Sequence, residues 1–383
     1  MQHSMNPQIE KLSPFIVMEV LERANELQRQ GIDVIHLEVG EPDFDIPECV
    51  SQATVDALQK SKTHYTHSLG DFALRQAIAD FYKREYGVSV NPECIVVTSG
   101  SSPAILLALM VLCEAGGEVI VSNPGYACYS NFILACGGIP VEVSLKAEDG
   151  FQFDVEAVKR AITPKTRAIF INSPMNPTGT LLSTNVMAEL AQLSVPILSD
   201  EIYHGLVYEG RAHSMLEFTN NAFILNGFSK RFAMTGLRLG YLIAPQQYMR
   251  SLQILQQNLF ICAPSLAQYA GIAALQSADA DVAAMRQTYN ERRIYMIDRL
   301  RQMGFTIHTE PQGAFYIFAD ASRFTTDSYK FAFDILEKAH VGVTPGTDFG
   351  SNGEGFIRFS YANSLENIAK ALDRIAEYLQ KIN

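Results

Sequence analysis

Residues 222–243 read Ala-Phe-Ile-Leu-Asn226-Gly-Phe-Ser-Lys230-Arg-Phe-Ala-Met-Thr-Gly-Leu-Arg238-Leu-Gly-Tyr-Leu-Ile243. An apolar run of strand length, Ala222–Leu225, enters a turn that holds a lysine among small and apolar neighbours. An arginine follows eight residues on, and a second apolar run, Leu239–Ile243, begins directly after it. A lysine is ordinarily a solvated surface group. Its setting at a strand end, together with what recurs at other strand ends, makes Lys230 a candidate for chemistry.

The same rhythm extends upstream. From about Glu93 to Ala244, apolar runs at Cys94–Thr98, Glu118–Ser122, Val141–Ser144, Arg167–Ile171 and Pro196–Ser199 precede the two just named. Helix-length segments lie between several of them, at Ser101–Glu114, Tyr126–Ala135, Asp154–Ala161 and Ser183–Leu193. Strands alternating with helices predict an α/β fold, with a mostly parallel seven-stranded sheet sandwiched by helices. In such sheets ligands sit beyond the carboxyl ends of the strands. After about Asp281 the pattern changes. A long helix is predicted over Val282–Gln302, stopped by Gly304, with strands near Phe305–His308, Ala314–Phe318, Val341–Thr344 and Phe356–Ser360 and a closing helix over Leu365–Gln380. The expected organisation is a large cofactor-binding domain over residues 46–280. Residues 1–45 and 281–383 are expected to form a smaller α+β domain that closes over a substrate.

Bulk properties narrow the function. A chain of 383 residues with 48% hydrophobic and 19% charged residues suits two well-packed domains. A formal charge of −11 argues against a nucleic-acid surface, which needs a basic patch. No apolar stretch approaches the roughly 18 residues that cross a bilayer. The first residues, MQHSMNPQIEKLSP, have neither a basic start nor a long apolar run, so no signal peptide is expected. Six scattered cysteines without a C-x-x-C pair predict neither a disulfide framework nor a metal site, and a cytoplasmic enzyme is the expectation. No G-x-G-x-x-G follows the first strand, which sets a nicotinamide dehydrogenase aside.

Polar residues cluster at other strand ends. Asp200 stands in Ser199-Asp-Glu-Ile-Tyr203, directly after an apolar run. Read plainly it is a turn residue or a helix cap. Asn172-Ser-Pro-Met-Asn176-Pro-Thr-Gly179 is, taken alone, a turn rich in proline and glycine. Thr98-Ser-Gly100-Ser101-Ser102-Pro103 closes one strand and opens a helix. Simple capping explains it, but free N–H groups and two hydroxyls there also suit a phosphate.

Taken in this order, these segments resemble the aspartate aminotransferase superfamily, the fold type I, class I/II aminotransferases that depend on pyridoxal 5'-phosphate. The resemblance runs from Val39-Gly-Glu-Pro-Asp-Phe-Asp45 to Phe356-Ile-Arg358-Phe-Ser-Tyr-Ala362, nearly the whole chain. It implies that Lys230 forms the Schiff base with the cofactor aldehyde and then shuttles the substrate α-proton. It implies that Asp200 pairs with the protonated pyridine nitrogen and keeps the ring an electron sink. Asn176 and Tyr203 would donate hydrogen bonds to the phenolic oxygen, and Tyr126 would stack on the ring, although Tyr126 also reads as a core aromatic at a helix start. Gly100, Ser101 and Ser102, with Ser229 as a further candidate, would cradle the phosphate, and Arg238 would neutralise it. Tyr65, in Thr63-His-Tyr-Thr-His-Ser-Leu-Gly70, would reach the phosphate of a neighbouring subunit, which makes the protein a homodimer with shared active sites. Arg358 would grip the substrate α-carboxylate with Gly40 beside it. Without the resemblance, Arg358 reads as a strand surface residue.

The chain also departs from the family pattern. Many members carry serine where this chain has Gly227, so phosphate binding rests more on the residues just named. Where aspartate-specific branches place an arginine or a phosphate-loop lysine, this chain has Asn258 and Ser102. The covering segment Ser13-Pro-Phe15-Ile-Val17 is apolar. With no dedicated cation for a second carboxylate, the expected donor is neutral, with 2-oxoglutarate or pyruvate as acceptor. The competing readings are a carbon–sulfur β-lyase, which needs the same lysine, aspartate and arginine, and a non-catalytic ligand sensor, against which the retained lysine argues.

Overall fold

The computed structural model describes residues 9–382. Residues 1–8, the start of the segment read for a signal peptide and of the expected smaller domain, lie outside the described residues. In chain order the first elements are α1 (Ile16–Arg29), β1 (Ile35–His36), α2 (Glu48–Gln59), α3 (Phe72–Tyr86), β2 (Ile95–Thr98), α4 (Ser101–Leu112), β3 (Glu118–Asn123) and α5 (Cys128–Ala135). Next come β4 (Ile139–Ser144), α6 (Val155–Ala161), β5 (Thr166–Asn172), α7 (Thr184–Ala191), β6 (Ile197–Asp200), β7 (Ala222–Gly227) and β8 (Gly240–Ile243). The chain ends with α8 (Met249–Leu259), α9 (Ser265–Ser277), α10 (Asp279–Met303), β9 (Tyr316–Asp320), α11 (Ser328–Ala339), β10 (Val341–Gly342), β11 (Thr344–Pro345), β12 (Phe356–Ser360) and α12 (Leu365–Ile382).

All seven apolar runs of residues 94–243 become strands of one sheet, in the order β2-β8-β7-β6-β5-β3-β4. Only β8 runs antiparallel, against both β7 and β2. Side chains alternate between the two faces, as strand geometry demands. Ile95, Val97, Ile169, Ile197 and Ile224 pack beneath α3, α6, α7 and α9. Val96, Phe170, Leu198, Phe223 and Leu225 pack beneath α4, α5 and α8. The helix starts follow local capping chemistry: Asp154 accepts from Glu156 N–H before α6, and Ser183 accepts from Val186 N–H before α7. The long helix α10 stops where Gly304 turns left-handed, at φ 101°. No helix among the described residues is long and apolar enough to cross a membrane.

A second core lies under α10, α11 and α12, against the antiparallel sheet β11-β12-β9. Here three expectations need correction. The run Phe305–His308 makes only a single bridge, Thr306 to Asp320, and is followed closely by Pro311, which has no N–H to extend a ladder. The expected strand Val341–Thr344 is split. Val341 and Gly342 pair with Ile35 and His36, while Thr344 and Pro345 pair with Arg358 and Ile357. The helix expected from Tyr126 begins at Cys128, which leaves Tyr126 in the preceding turn.

One consequence of the register matters for function. Asn172 lies opposite Asp200, Gly227 opposite Gly240, and Gly240 opposite Thr98. The polar strand ends singled out in the sequence therefore stand along one edge of one sheet.

Candidate active site

At that edge β7 ends and the chain turns through Ser229 to Lys230. The Nζ of Lys230 donates to the carbonyl of Gly40 at 2.5 Å and lies 5.9 Å from the centre of the Phe315 ring. Burial pushes its pKa down to about 8; Arg238 and Arg358 push the same way, and Glu41 and Asp200 oppose. Lys230 is half-buried and lines the cavity.

Asp200 is the last residue of β6 and is buried. Burial raises its carboxyl to about 6, while the Tyr129 hydroxyl, the Ile202 N–H and the charge of Lys230 hold it from rising further. The Tyr129 hydroxyl donates to Oδ2 at 2.7 Å and the Ile202 N–H to Oδ1 at 3.0 Å. Tyr129 itself is fixed by stacking on Phe170, with ring centres 4.0 Å apart. Next along the edge, Asn172 donates to the Asp200 carbonyl at 2.9 Å and accepts the Asn176 N–H at 2.8 Å. This pins the 172–179 loop to the neighbouring strand.

Arg358 enters from β12. It is 2% exposed, its guanidinium lies 4.3 Å from the Tyr316 ring centre and 5.0 Å from that of Phe349. Nη1 donates to Asn176 Oδ1 at 3.0 Å, and Nη2 to the Glu38 carbonyl at 2.5 Å and to Thr344 Oγ1 at 3.1 Å. Its Nε is buried with no partner among the described residues. A buried charged donor without a partner costs free energy, and the side chain that carries it lines the cavity. The Tyr316 hydroxyl also bonds that of Tyr203 at 2.9 Å and fills the space where any side chain at Gly40 would stand.

Elsewhere on the cavity lining, a helix start meets an arginine. Helix α4 begins at Ser101 without a side-chain cap, so its first N–H groups are free. Gly100, before it, has φ 92°, and a Cβ there would lie 2.7 Å from Nη2 of Arg238. Only glycine lets the arginine approach this helix end so closely. Arg238 is itself held at φ 51°, a left-handed conformation that a bulky residue adopts under constraint.

These groups surround one cavity of about 260 Å³. Of the residues singled out in the sequence, Gly40, Ser101, Ser102, Tyr126, Asn176, Asp200, Tyr203, Ser229, Lys230, Arg238 and Arg358 all line it. Gly100 stands behind Arg238. Tyr65 does not join them; its side chain is on the surface, 81% exposed. Asn258 also faces away and bonds the Ile254 carbonyl at 2.8 Å. Sequence reasoning marked Asn172 only as a strand end without a role, missed Tyr129, Thr235 and Tyr316, and stopped short of Met18 and Leu21 on α1. Tyr129, one turn beyond Tyr126, could have been found by helical spacing. Tyr316 carries no local signal.

Residues 32–375 match the family model for aminotransferase class I and II. The chain belongs to this family. The (5-formylfuran-3-yl)methyl phosphate transaminase of Methanocaldococcus jannaschii is 41% identical over 372 residues, covering 96% of this aminotransferase and 97% of that protein. The valine–pyruvate aminotransferase of Mycobacterium tuberculosis is 37% identical, with 96% of each chain covered. Among solved structures, aspartate aminotransferase from Thermus thermophilus superposes with a TM-score of 0.94 at 38% identity, covering 98% of this chain and 100% of that one.

Pyridoxal phosphate is the cofactor of class I and II aminotransferases. The residues of this site fit it. A buried carboxylate suits a protonated ring nitrogen, a lysine with a pKa near 8 suits an aldehyde, and the cradle of Gly100, Ser101 and Arg238 suits a phosphate dianion.

Proposed function

We propose that this aminotransferase moves the amino group of a neutral, apolar L-amino acid to a monocarboxylic 2-oxo acid such as pyruvate, in a ping-pong cycle of two half-reactions. One observation carries the substrate class. The cavity lining includes the apolar Phe15, Val17, Met18, Leu21 and Ile105, and its cations other than Arg358 are Lys230 and Arg238, which the cofactor would engage. A second carboxylate against that wall would cost several kcal/mol. The same argument ranks 2-oxoglutarate below pyruvate as acceptor.

The cofactor, when bound, supplies an aldehyde for amine exchange and a ring that withdraws electrons from the substrate α-carbon. Arg358, whose side chain lines the cavity, holds the α-carboxylate. Lys230 holds the cofactor, and its Nζ then takes up the α-proton and returns it. With a pKa of about 8, roughly a tenth of Nζ is unprotonated at pH 7, against a negligible fraction for an ordinary lysine. Asp200 keeps a proton on the ring nitrogen, and Tyr129 keeps Asp200 in place. Asn176 and Tyr203 orient the ring's oxygen, Tyr126 supports its face, and Ser101, Ser102, Ser229 and Arg238 hold the phosphate.

Two further proposals complete the reading. Residues up to 45 and from 281 onward close as a unit over bound substrate and exclude water. The active unit is a homodimer in which Tyr65 reaches the partner's phosphate. What supports it is the exposure of Tyr65, Leu259 and Ile261 on neighbouring segments, joined by the 3.4 Å bond from Gln257 to Ser68. Light scattering of the holoenzyme tests the assembly.

The decisive experiment is a visible absorption spectrum of the loaded protein during addition of single amino acids. Valine, methionine and phenylalanine are expected to remove the band without an acceptor, and pyruvate to restore it. Aspartate should act at least about tenfold more weakly, given the cost of its unpaired carboxylate. A band that persists while cystathionine yields pyruvate would replace this reading by the β-lyase. A protein that develops no band would remove Lys230 from its role.

A further inference from the structure

Helix α1 supplies three of the apolar wall residues, yet it has no cap of its own. Phe15, at its N-cap position, makes no side-chain hydrogen bond. Its first N–H groups are satisfied from the far end of the chain. Asp348, in the turn Gly346–Phe349, accepts the Ile16 N–H on Oδ1 at 2.8 Å and the Val17 N–H on Oδ2 at 3.3 Å. A carboxylate there also faces the positive end of the helix dipole. Asp348 is 6% exposed, so it is committed to this contact rather than to solvent.

A second clasp lies just upstream. Asn131, on α5, accepts the Ser13 N–H at 3.0 Å and returns a bond to the Ser13 carbonyl at 3.0 Å. Between the two clasps Phe15 meets the ring of Tyr126 edge-on at 5.9 Å, and Val17, Met18 and Leu21 face the cavity. The residue after Asp348 is Phe349, whose ring lies beneath the Arg358 guanidinium. One turn therefore touches both the group that binds the carboxylate end of a substrate and the helix that meets its side chain.

We propose that Asp348 is the positioning residue that docks α1 on the site and thereby sets selectivity for long apolar side chains over short ones. The inference rests on the apolar-donor reading above. The α1 wall contacts a side chain equally in the bound substrate and in the transition state, so loosening it changes KM and spares kcat. Alanine, which ends at Cβ, does not reach the wall and is the internal control.

The test compares wild type, Asp348→Ala and Asp348→Asn as holoenzymes, by steady-state kinetics and by amide hydrogen exchange over residues 15–22. Loss of an N-cap interaction is expected to speed exchange of these amides by about 2- to 30-fold in Asp348→Ala. On the same scale, KM for phenylalanine and methionine should rise by roughly 5- to 10-fold, with kcat within about twofold and KM for alanine within about twofold. Asp348→Asn keeps one acceptor oxygen and should fall between wild type and the alanine variant on both readouts. Unchanged exchange overturns the docking role. Faster exchange with equal KM changes for alanine and phenylalanine overturns the selectivity role. Should wild type ignore long apolar donors altogether, the donor reading fails, and the exchange measurement alone still decides whether Asp348 docks α1.

Discussion

Replacing Asp200 by asparagine should make the cofactor-free protein more stable and the loaded enzyme almost inactive. The carboxyl is buried and its pKa is about 6, above the ordinary 3.8 that applies in the unfolded chain. The folded protein therefore binds this proton more tightly than the unfolded one. Stability is lost as pH rises from 3.8 through 6 and stays lost above that. A rise of about 2 units at 1.36 kcal/mol per unit is about 3 kcal/mol of destabilisation at pH 8. Asparagine removes the charge but keeps one acceptor oxygen for the Tyr129 hydroxyl or the Ile202 N–H, giving up one hydrogen bond at about 1 kcal/mol. The net expectation is about 2 kcal/mol of added stability at pH 8, or about 2–3 °C in Tm for a chain of this size. At pH 5, where the carboxyl is mostly protonated, the gain should shrink below about 1 kcal/mol. Thermal scans of cofactor-free wild type and Asp200→Asn at both pH values read this out. In the loaded enzyme, on the proposed role, the same change would remove the charge that keeps the ring nitrogen protonated, and the rate of band loss with donor should fall by at least about 100-fold. A variant that is less stable at pH 8, or whose advantage does not depend on pH, would refute the assignment of a strained buried carboxylate. A variant with near wild-type turnover would refute its role.

Lys230→Ala should leave no measurable transamination with any donor, and the visible band of the reconstituted protein should be absent. Arg358→Lys loses the guanidinium fork and its placement between Tyr316 and Phe349; KM for all donors, alanine included, should rise by about 10- to 100-fold, read by initial rates. Gly100→Ala forces a side chain into a backbone at φ 92° and against Arg238. Its expected effect is a loss of about 5- to 30-fold in cofactor affinity by equilibrium titration, with the fold retained by circular dichroism.

Much of this protein is legible in its sequence because the relevant physics is local. The seven strands of the main sheet announce themselves as short apolar runs, since both faces of a parallel sheet are buried. Their last residues, Asn172, Asp200 and the turn to Lys230, stand where ligands gather for the same topological reason. Other elements were less readable. Helix α9, rich in alanine and packed against the sheet and α3, lacks the polar face by which a surface helix is recognised. The run Val341–Thr344 has one composition but serves two sheets, and only the partners Ile35 and Arg358 decide where it divides.

What the tertiary structure alone decided is the electrostatic and steric character of the site. That β8 is antiparallel, that Tyr129 bonds Asp200, that Tyr316 fills the space beside Gly40 and that Asp348 caps a helix 332 residues away are facts of spatial approach. The pKa values near 6 and 8 at Asp200 and Lys230 arise from burial and from charges brought close by different strands. Residue order and periodicity set which face a side chain takes along its own strand or helix. The distances between side chains on different elements, on which both desolvation and Coulomb energy depend, come into being only when those elements pack.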